Sequence, residues 1–296
     1  MTTTRAARGG VTPRAVPPAE RRRRFLVAVA NQSVAIALSA VFVLPFIFIL
    51  LTALMTQQQA LTTDLWPSPF RWGNFARVFS EIPLIRYTYS TVVYAVLSTV
   101  GTVLSSIPVA YALSRMRWRG RNIVFLLVLS TLMLPVQVTI VPLYVVFVRL
   151  HWIGSLKPLI VPAFFGDAFT IFLLRQFFLT IPEELSDAAR VDGASELQIL
   201  TRVIVPLAKP AVAAVALFQF LYCWNDFFGP LLYTGSNPKV WTLAVGLSQY
   251  SSVVHRSVLW NIQMAASILF MLPVILLFLL AQRVFIEGVT LTGVKG

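Results

Sequence analysis

The feature that most constrains this chain is where its charges are missing. No Asp, Glu, Lys or Arg occurs between Arg24 and Asp64, Arg86 and Arg115, Arg121 and Arg149, or Arg256 and Arg283. Each interval exceeds the roughly 20 residues that cross a ~30 Å hydrocarbon core at ~1.5 Å per residue. Two further apolar stretches, Pro158 to Leu179 and Leu207 to Tyr233, each contain one Asp. Charged residues make up 12% of the chain and hydrophobic ones 57%, whereas soluble domains carry about 25% charged residues. The pattern predicts an all-α integral membrane protein with six transmembrane helices and excludes most soluble enzyme folds.

A net charge of +13 on a soluble protein would point to nucleic acid. Here the basic residues instead report topology, because Lys and Arg near the ends of spans stay in the cytoplasm. With the N-terminus inside, most of the 24 basic residues fall on that side: the Arg-rich start, Arg115 to Arg121, the fourth connection, and Arg283 with Lys295. Both termini are therefore expected in the cytoplasm of a protein in the inner membrane, with no nucleic-acid partner. Residues 1–24 have little to bury and are expected to form a disordered tail, leaving 25–296 as the membrane domain. The first apolar run continues to Met55, far past the ~7–15 residues of a signal-peptide core, so no cleavage is expected.

Cys223 is alone, which excludes an internal disulfide or a thiolate metal cage. The histidines, His151 and His255, stand apart in polar loops. There is no Gly-x-x-x-x-Gly-Lys-Ser/Thr phosphate loop and no nucleophile–base set. The expectation is a chain with no catalytic residues, no metal site and no cofactor of its own.

The connection from about residue 180 to 209 is the most informative segment. Pro182 suits the start of a helix, and Glu183, Glu184 and Asp187 lie near the positive end of its dipole. Gly193 is placed to end that helix in a left-handed conformation. Ser195 and Gln198 then have capping-box spacing for a second helix, and Pro206 and Pro210 mark its junction with the next span. Leu185, Ala188, Ala189 and Asp192 fall on one face by helical spacing, with two methyl-sized side chains at its centre that admit a partner close to the backbone. The plain alternative is an amphipathic helix lying on lipid, for which the face is small and acidic.

At these residues the chain resembles the transmembrane subunits of binding-protein-dependent ABC importers. The signature of that family is Glu-Ala-Ala, three residues, Gly, nine residues, then Ile-x-Leu-Pro. It is matched here by Asp187-Ala188-Ala189, Gly193 and Val203-Ile204-Val205-Pro206 with both spacings intact. The departures are Asp for Glu, and Val for Ile and Leu. Leu134-Pro135 through Tyr144, Trp224-Asn225-Asp226 and the Ala281 to Gly296 terminus are similar to the carbohydrate-uptake branch, the terminus most of all to the smaller maltose-type permease subunits.

The resemblance implies a type I importer permease fold in which the loop docks on a cytoplasmic ATPase. That assigns the coupling role to Pro182, Glu183, Glu184, Asp187, Ala188, Ala189, Asp192 and Gly193. It also implies a second permease subunit, expected to be a different chain, two ATPase subunits carrying the ATP and Mg, and an extracytoplasmic sugar-binding protein docking on the loops at 56–87 and 234–260. The rival readings are a permease of the same family for a non-sugar solute and an ion-gradient-driven carrier. A carrier of that kind is expected to show discontinuous helices and internal repeats, and the sequence contains no repeat.

Polar residues inside the spans are the candidates for a translocation path, since an ionised Asp at a helix centre costs about 2.5–3.5 kcal/mol on insertion scales. Asn225 and Asp226 lead, followed by Asp167 and Gln137. For each, the structural alternative is a hydrogen bond that holds neighbouring helices together.

Overall fold

The computed structural model describes residues 18–250 and 259–293, and every regular element among them is helical. Most of the expected disordered tail (1–17), part of the loop at 234–260 expected to face outward (251–258) and the last residues (294–296) lie outside the described residues. Helix α1 (Pro18–Ala53) begins inside the segment expected to be disordered.

After α1 come a short helix, α2 (Gly73–Glu81), and the long α3 (Leu84–Ser114). Then follow α4 (Arg121–Thr131), α5 (Val136–Arg149), α6 (Lys157–Ile160) and α7 (Ala168–Thr180). The connecting segment contains α8 (Glu183–Val191), α9 (Glu196–Ile199) and α10 (Val205–Leu207). The chain closes with α11 (Lys209–Asn225), α12 (Phe228–Thr234), α13 (Leu243–Gln249) and α14 (Trp260–Gly293).

Four helical segments are long and apolar enough to cross a membrane: Phe25–Ala53, Leu84–Ser114, Lys157–Thr180 and Trp260–Leu280. A fifth is reached if Glu196–Leu207 and Lys209–Asn225, which meet at 80°, count as one span. The third predicted span is two shorter apolar helices, Arg121–Thr131 and Gln137–Arg149. Six unbroken helices are therefore not reached among the described residues. The physical reason lies at Pro135, which caps α5 with extended backbone (ψ 136°). Proline has no N–H to continue the ladder and disfavours helical geometry at the residue before it.

Helix α3 is the hub, packing against α7, α11, α13 and the 3-10 turn Val161–Phe165. Tyr94, Ser98, Thr102, Ser106, Ala110 and Ser114 recur every fourth residue and are all buried. This stripe of mostly small side chains lets neighbouring backbones approach, as membrane helix packing requires. Gly101 is the extreme case, because a Cβ there would stand 2.7 Å from the Phe164 ring. By contrast α1 packs along α14, and 0% of its apolar window is buried, leaving it open to lipid or another subunit.

Apolar clusters lie at different levels of the bundle. One joins Tyr111 and Leu113 of α3 to Ile171, Leu174 and Phe178 of α7, Ile199, Leu200 and Ile204 of the connecting segment, and Val215 of α11. Another, built around Tyr87, Leu243, Leu247 and Ile262, closes the opposite end.

Candidate functional site

The connecting segment folds as an elbow, and local chemistry accounts for its shape. Glu183 and Glu184 occupy the first turn of α8 and Arg190 the last, each complementing the helix dipole. At the other end the Ala194 N–H donates to Ala189 O (2.9 Å) and the Gly193 N–H to Arg190 O (3.0 Å), the paired bonds of a Schellman ending. That ending puts Gly193 at φ +81°, with nothing within 4 Å of where a Cβ would be. The capping box at Ser195 and Gln198 forms with both bonds present. A π-helical turn, Leu200–Ile204, follows. Pro206 and Pro210 then interrupt the ladder around the 80° bend into α11.

Of the residues assigned to docking, Pro182, Glu183, Glu184, Asp187, Ala188, Asp192 and Gly193 are exposed. Ala189 differs. It is half-buried against the cluster of α3, α7 and the elbow, beside the fully buried Ser186. The outward face is therefore Leu185, Ala188 and Asp192, and Ala189 seats the helix on the bundle. Spacing placed it outward because i and i+4 share one side of a helix, yet a helix lying on a bundle turns part of that side inward.

Charged contacts that spacing alone did not reveal lock the elbow. Arg190 bridges Asp187 (2.7 Å) and Glu196 (2.9 Å), joining α8 to α9 across the glycine turn. Hydrogen bonds to Glu196, foremost, hold the Arg190 guanidinium above its ordinary value. The same Arg190 bond, followed by one from Tyr111, holds the Glu196 carboxyl below the usual carboxylate range, against the opposing effect of burial. Tyr111 Oη donates to Glu196 and so ties the elbow to α3.

The ends of α3 and α7 are exchanged in a reciprocal way. Arg115, at the C-terminus of α3 and only 8% exposed, donates to the Phe178 and Ile181 carbonyls that end α7. Arg175 of α7 donates to Leu113 O (3.0 Å) near the end of α3 and lies 3.9 Å over the Phe125 ring. In sequence Arg115 reads only as a topology charge. Its buried capping role is visible only once the helices are assembled.

Deeper in the bundle a cavity of about 330 Å³ is lined by Asp167 and Asp226 together with Tyr94, Gln219, Tyr222 and Cys223. Both aspartates stand at breaks in apolar stretches. Asp167 caps α7 by accepting from the Thr170 N–H (2.8 Å). Asp226 accepts from the Gly229 N–H at the start of α12 (3.1 Å) and from Tyr94 Oη (2.9 Å). Structural bonding and cavity lining thus coincide in the same two residues.

Asn225 and Gln137 are not brought to this cavity. Asn225 is exposed and its Nδ2 donates to Leu221 O one turn back (2.8 Å). Gln137 is exposed in the first turn of α5. Trp224, a conceivable partner for these polar groups, is instead buried in a stack with Phe220 and Phe270. Gln219 was not anticipated, although it lies two helical turns before Asp226 and so on the same face.

Comparison with known proteins bears on this geometry. Residues 101–290 match the family described as binding-protein-dependent transport system inner membrane component. The chain is 34% identical over 264 residues to the arabinooligosaccharides transport system permease protein AraQ of Bacillus subtilis (strain 168), covering 88% of this chain and 92% of that one. It is 35% identical over 239 residues to the sn-glycerol-3-phosphate transport system permease protein UgpE of Yersinia enterocolitica, covering 79% and 84%. Its fold is similar, with a TM-score of 0.76 and 23% identity over 92% of this chain and 99% of the other, to a chain of a bacterial ABC transporter involved in the import of the acidic polysaccharide alginate.

Proposed function

Because the chain belongs to the family of inner membrane components of binding-protein-dependent transport systems, we propose that it forms half of the passage of an ATP-driven importer for a sugar or oligosaccharide. Its elbow transmits the work of a separate ATPase. The observation that carries this reading is the double character of the elbow. It presents an exposed face at Leu185, Ala188 and Asp192, while Ile199, Leu200 and Ile204 are buried in one cluster with α3, α7 and α11. Force applied to such a face reaches three bundle helices through packed side chains, which transmit displacement because interiors are close-packed.

In this reading the elbow and both termini are cytoplasmic. ATP and Mg belong to two partner ATPase subunits, a second permease chain completes the passage, and an extracytoplasmic binding protein delivers the solute. Broken helices of the kind at Asp167 and Asp226 also serve gradient-driven carriers; membership of the importer family is what favours ATP.

The cavity favours a sugar over a phosphate ester. Among the described residues two carboxylates and no Lys or Arg line it, so an anionic solute would meet like charge there. Hydroxyl groups, in contrast, find acceptors at Asp167, Asp226 and Gln219. The deciding experiment is reconstitution with the partner subunits and binding protein, scoring ATP-dependent uptake of oligosaccharide against sugar phosphate. Wild-type uptake that Ala188→Glu abolishes, with the variant still inserted, supports the reading. Undiminished uptake in that variant removes the docking assignment.

A further inference from the structure

A second and larger cavity, about 1030 Å³, lies between the α3–α4 connection and the start of α8, away from Leu185, Ala188 and Asp192 but bordered by Pro182, Glu183 and Glu184 of the residues assigned to docking. Arg115, Arg117 and Arg121 line it together with Trp118. The first turns of α4 and α8 also open onto it, and neither has a side-chain cap. Uncapped helix N-termini present free N–H groups and positive potential, a ready-made setting for an anion.

Charge placement here is costly without one. Arg121 stands in the first turn of α4, the end at which the helix dipole disfavours a cation. Its guanidinium donates to the Ser114 and Met116 carbonyls, at 3.4 and 3.2 Å. Arg115 is 8% exposed, and its Nε has no hydrogen-bond partner among the described residues. Glu183 and Glu184 form the opposite wall, but Glu183 is engaged by Arg117 at 2.9 Å.

The remaining wall is apolar and open. Ile123 and Leu179 line the cavity with exposed side chains, and Leu126 and Leu127 continue the exposed apolar surface along α4. An occupant that is a phosphate at one end and hydrocarbon at the other satisfies both walls, whereas free phosphate satisfies only one. We propose that this cavity holds the headgroup phosphate of an anionic phospholipid, with its acyl chains running along α4. Basic pockets between helices at a membrane face bind such headgroups by the same chemistry. The proposal needs that residues 115–123 lie at a membrane face and that an ATPase docked on α8 leaves the cavity open beside Glu183 and Glu184; it does not depend on the solute.

The test uses the assembled complex, purified in mild detergent and examined by native mass spectrometry. Wild type is expected to retain phosphatidylglycerol or cardiolipin, and the Arg117→Gln/Arg121→Gln double variant to lose it while its content of zwitterionic lipid is unchanged. Equal retention of anionic lipid by both overturns the proposal. Adding inorganic phosphate separates the two sources of the anion: wild type keeps its lipid under the proposal, and release of the lipid by phosphate overturns it. A readout independent of the double variant is Trp118 fluorescence in nanodiscs, taken as the difference between wild type and Trp118→Phe. Brominated phosphatidylglycerol is expected to quench that signal more than brominated phosphatidylcholine, and equal quenching overturns the assignment.

Discussion

Tyr94 Oη donates a 2.9 Å hydrogen bond to Asp226, joining the middle of α3 to the break between α11 and α12. The same carboxylate accepts from the Gly229 N–H, so one side chain both starts a half-helix and fastens it to the hub. A hydrogen bond to a charged group contributes about 1.5–3 kcal/mol. Tyr94→Phe is therefore expected to lower the thermal stability of the complex by an amount in that range. Asp226→Ala should cost more, because it strands both donors. The double variant is expected to be less destabilised than the sum of the two, since the residues share one interaction. Additive losses in thermal melts would show that the bond is energetically silent.

Asp226→Asn separates holding from handling. The amide oxygen can still accept from Gly229 while the charge facing the cavity is lost. Melting temperature is expected to fall less than in Asp226→Ala, because the new amide NH2 can donate to the Tyr94 hydroxyl in place of the lost charged bond, and uptake to fall about tenfold, equivalent to ~1.4 kcal/mol of barrier. Uptake at the wild-type rate in a reconstituted assay would take Asp226 off the solute path.

Gly193 allows space and conformation to be told apart. A Cβ there meets nothing within 4 Å, yet φ is +81°, a region that costs a non-glycine residue about 1–2 kcal/mol. Gly193→Ala is expected to destabilise the elbow by about that amount and to keep the ATPase bound. Gly193→Trp adds bulk beside the outward face of α8 and is expected to lose ATPase co-purification while still inserting. If alanine and tryptophan release the ATPase equally, the turn conformation is what matters and the steric account is wrong.

Both ends of this architecture differ in how far they can be read from residues alone. Three of the four charge-free intervals located long helices, the one from Arg121 to Arg149 being broken before α5, and the elbow was legible because caps and a left-handed glycine are local chemistry. The breaks at Asp167 and Asp226 were not, since an apolar stretch with one Asp looks the same whether its helix is continuous or interrupted. Gly166 at φ +91° just before Asp167 and Pro230 just after Asp226 were the available signals, but glycine and proline are common in membrane helices. Arg115 was unreadable for a different reason, as its carbonyl partners are 63 and 66 residues away. No sequence period carries such a pairing.

The buried side of the elbow can be weakened without touching its outward face. Ile199 and Ile204 are fully buried in the cluster shared with α3, α7 and α11. Truncating a buried Ile to Ala typically costs about 2–5 kcal/mol. Ile204→Ala is expected to leave ATPase co-purification intact and to reduce uptake per ATP hydrolysed, because the joint binds but transmits displacement poorly. Loss of ATPase binding in this variant would mean that the face and its seat are not separable.

Acid should loosen the same joint at a predictable point. Arg190, first, and Tyr111 hold the Glu196 carboxyl below its ordinary value of 4.5. A carboxyl depressed in the folded state contributes stability that is fully present above its unfolded value and lost as pH falls through the folded one. Hydrogen exchange of residues 183–199 is therefore expected to be flat from neutral pH down to about pH 5, once corrected for intrinsic rates, and protection to fall only below the ordinary glutamate range. Glu196→Gln removes the titrating group and should lose much of its protection at neutral pH with no further acid step from this position. An acid step of unchanged size in that variant would place the sensitive group elsewhere.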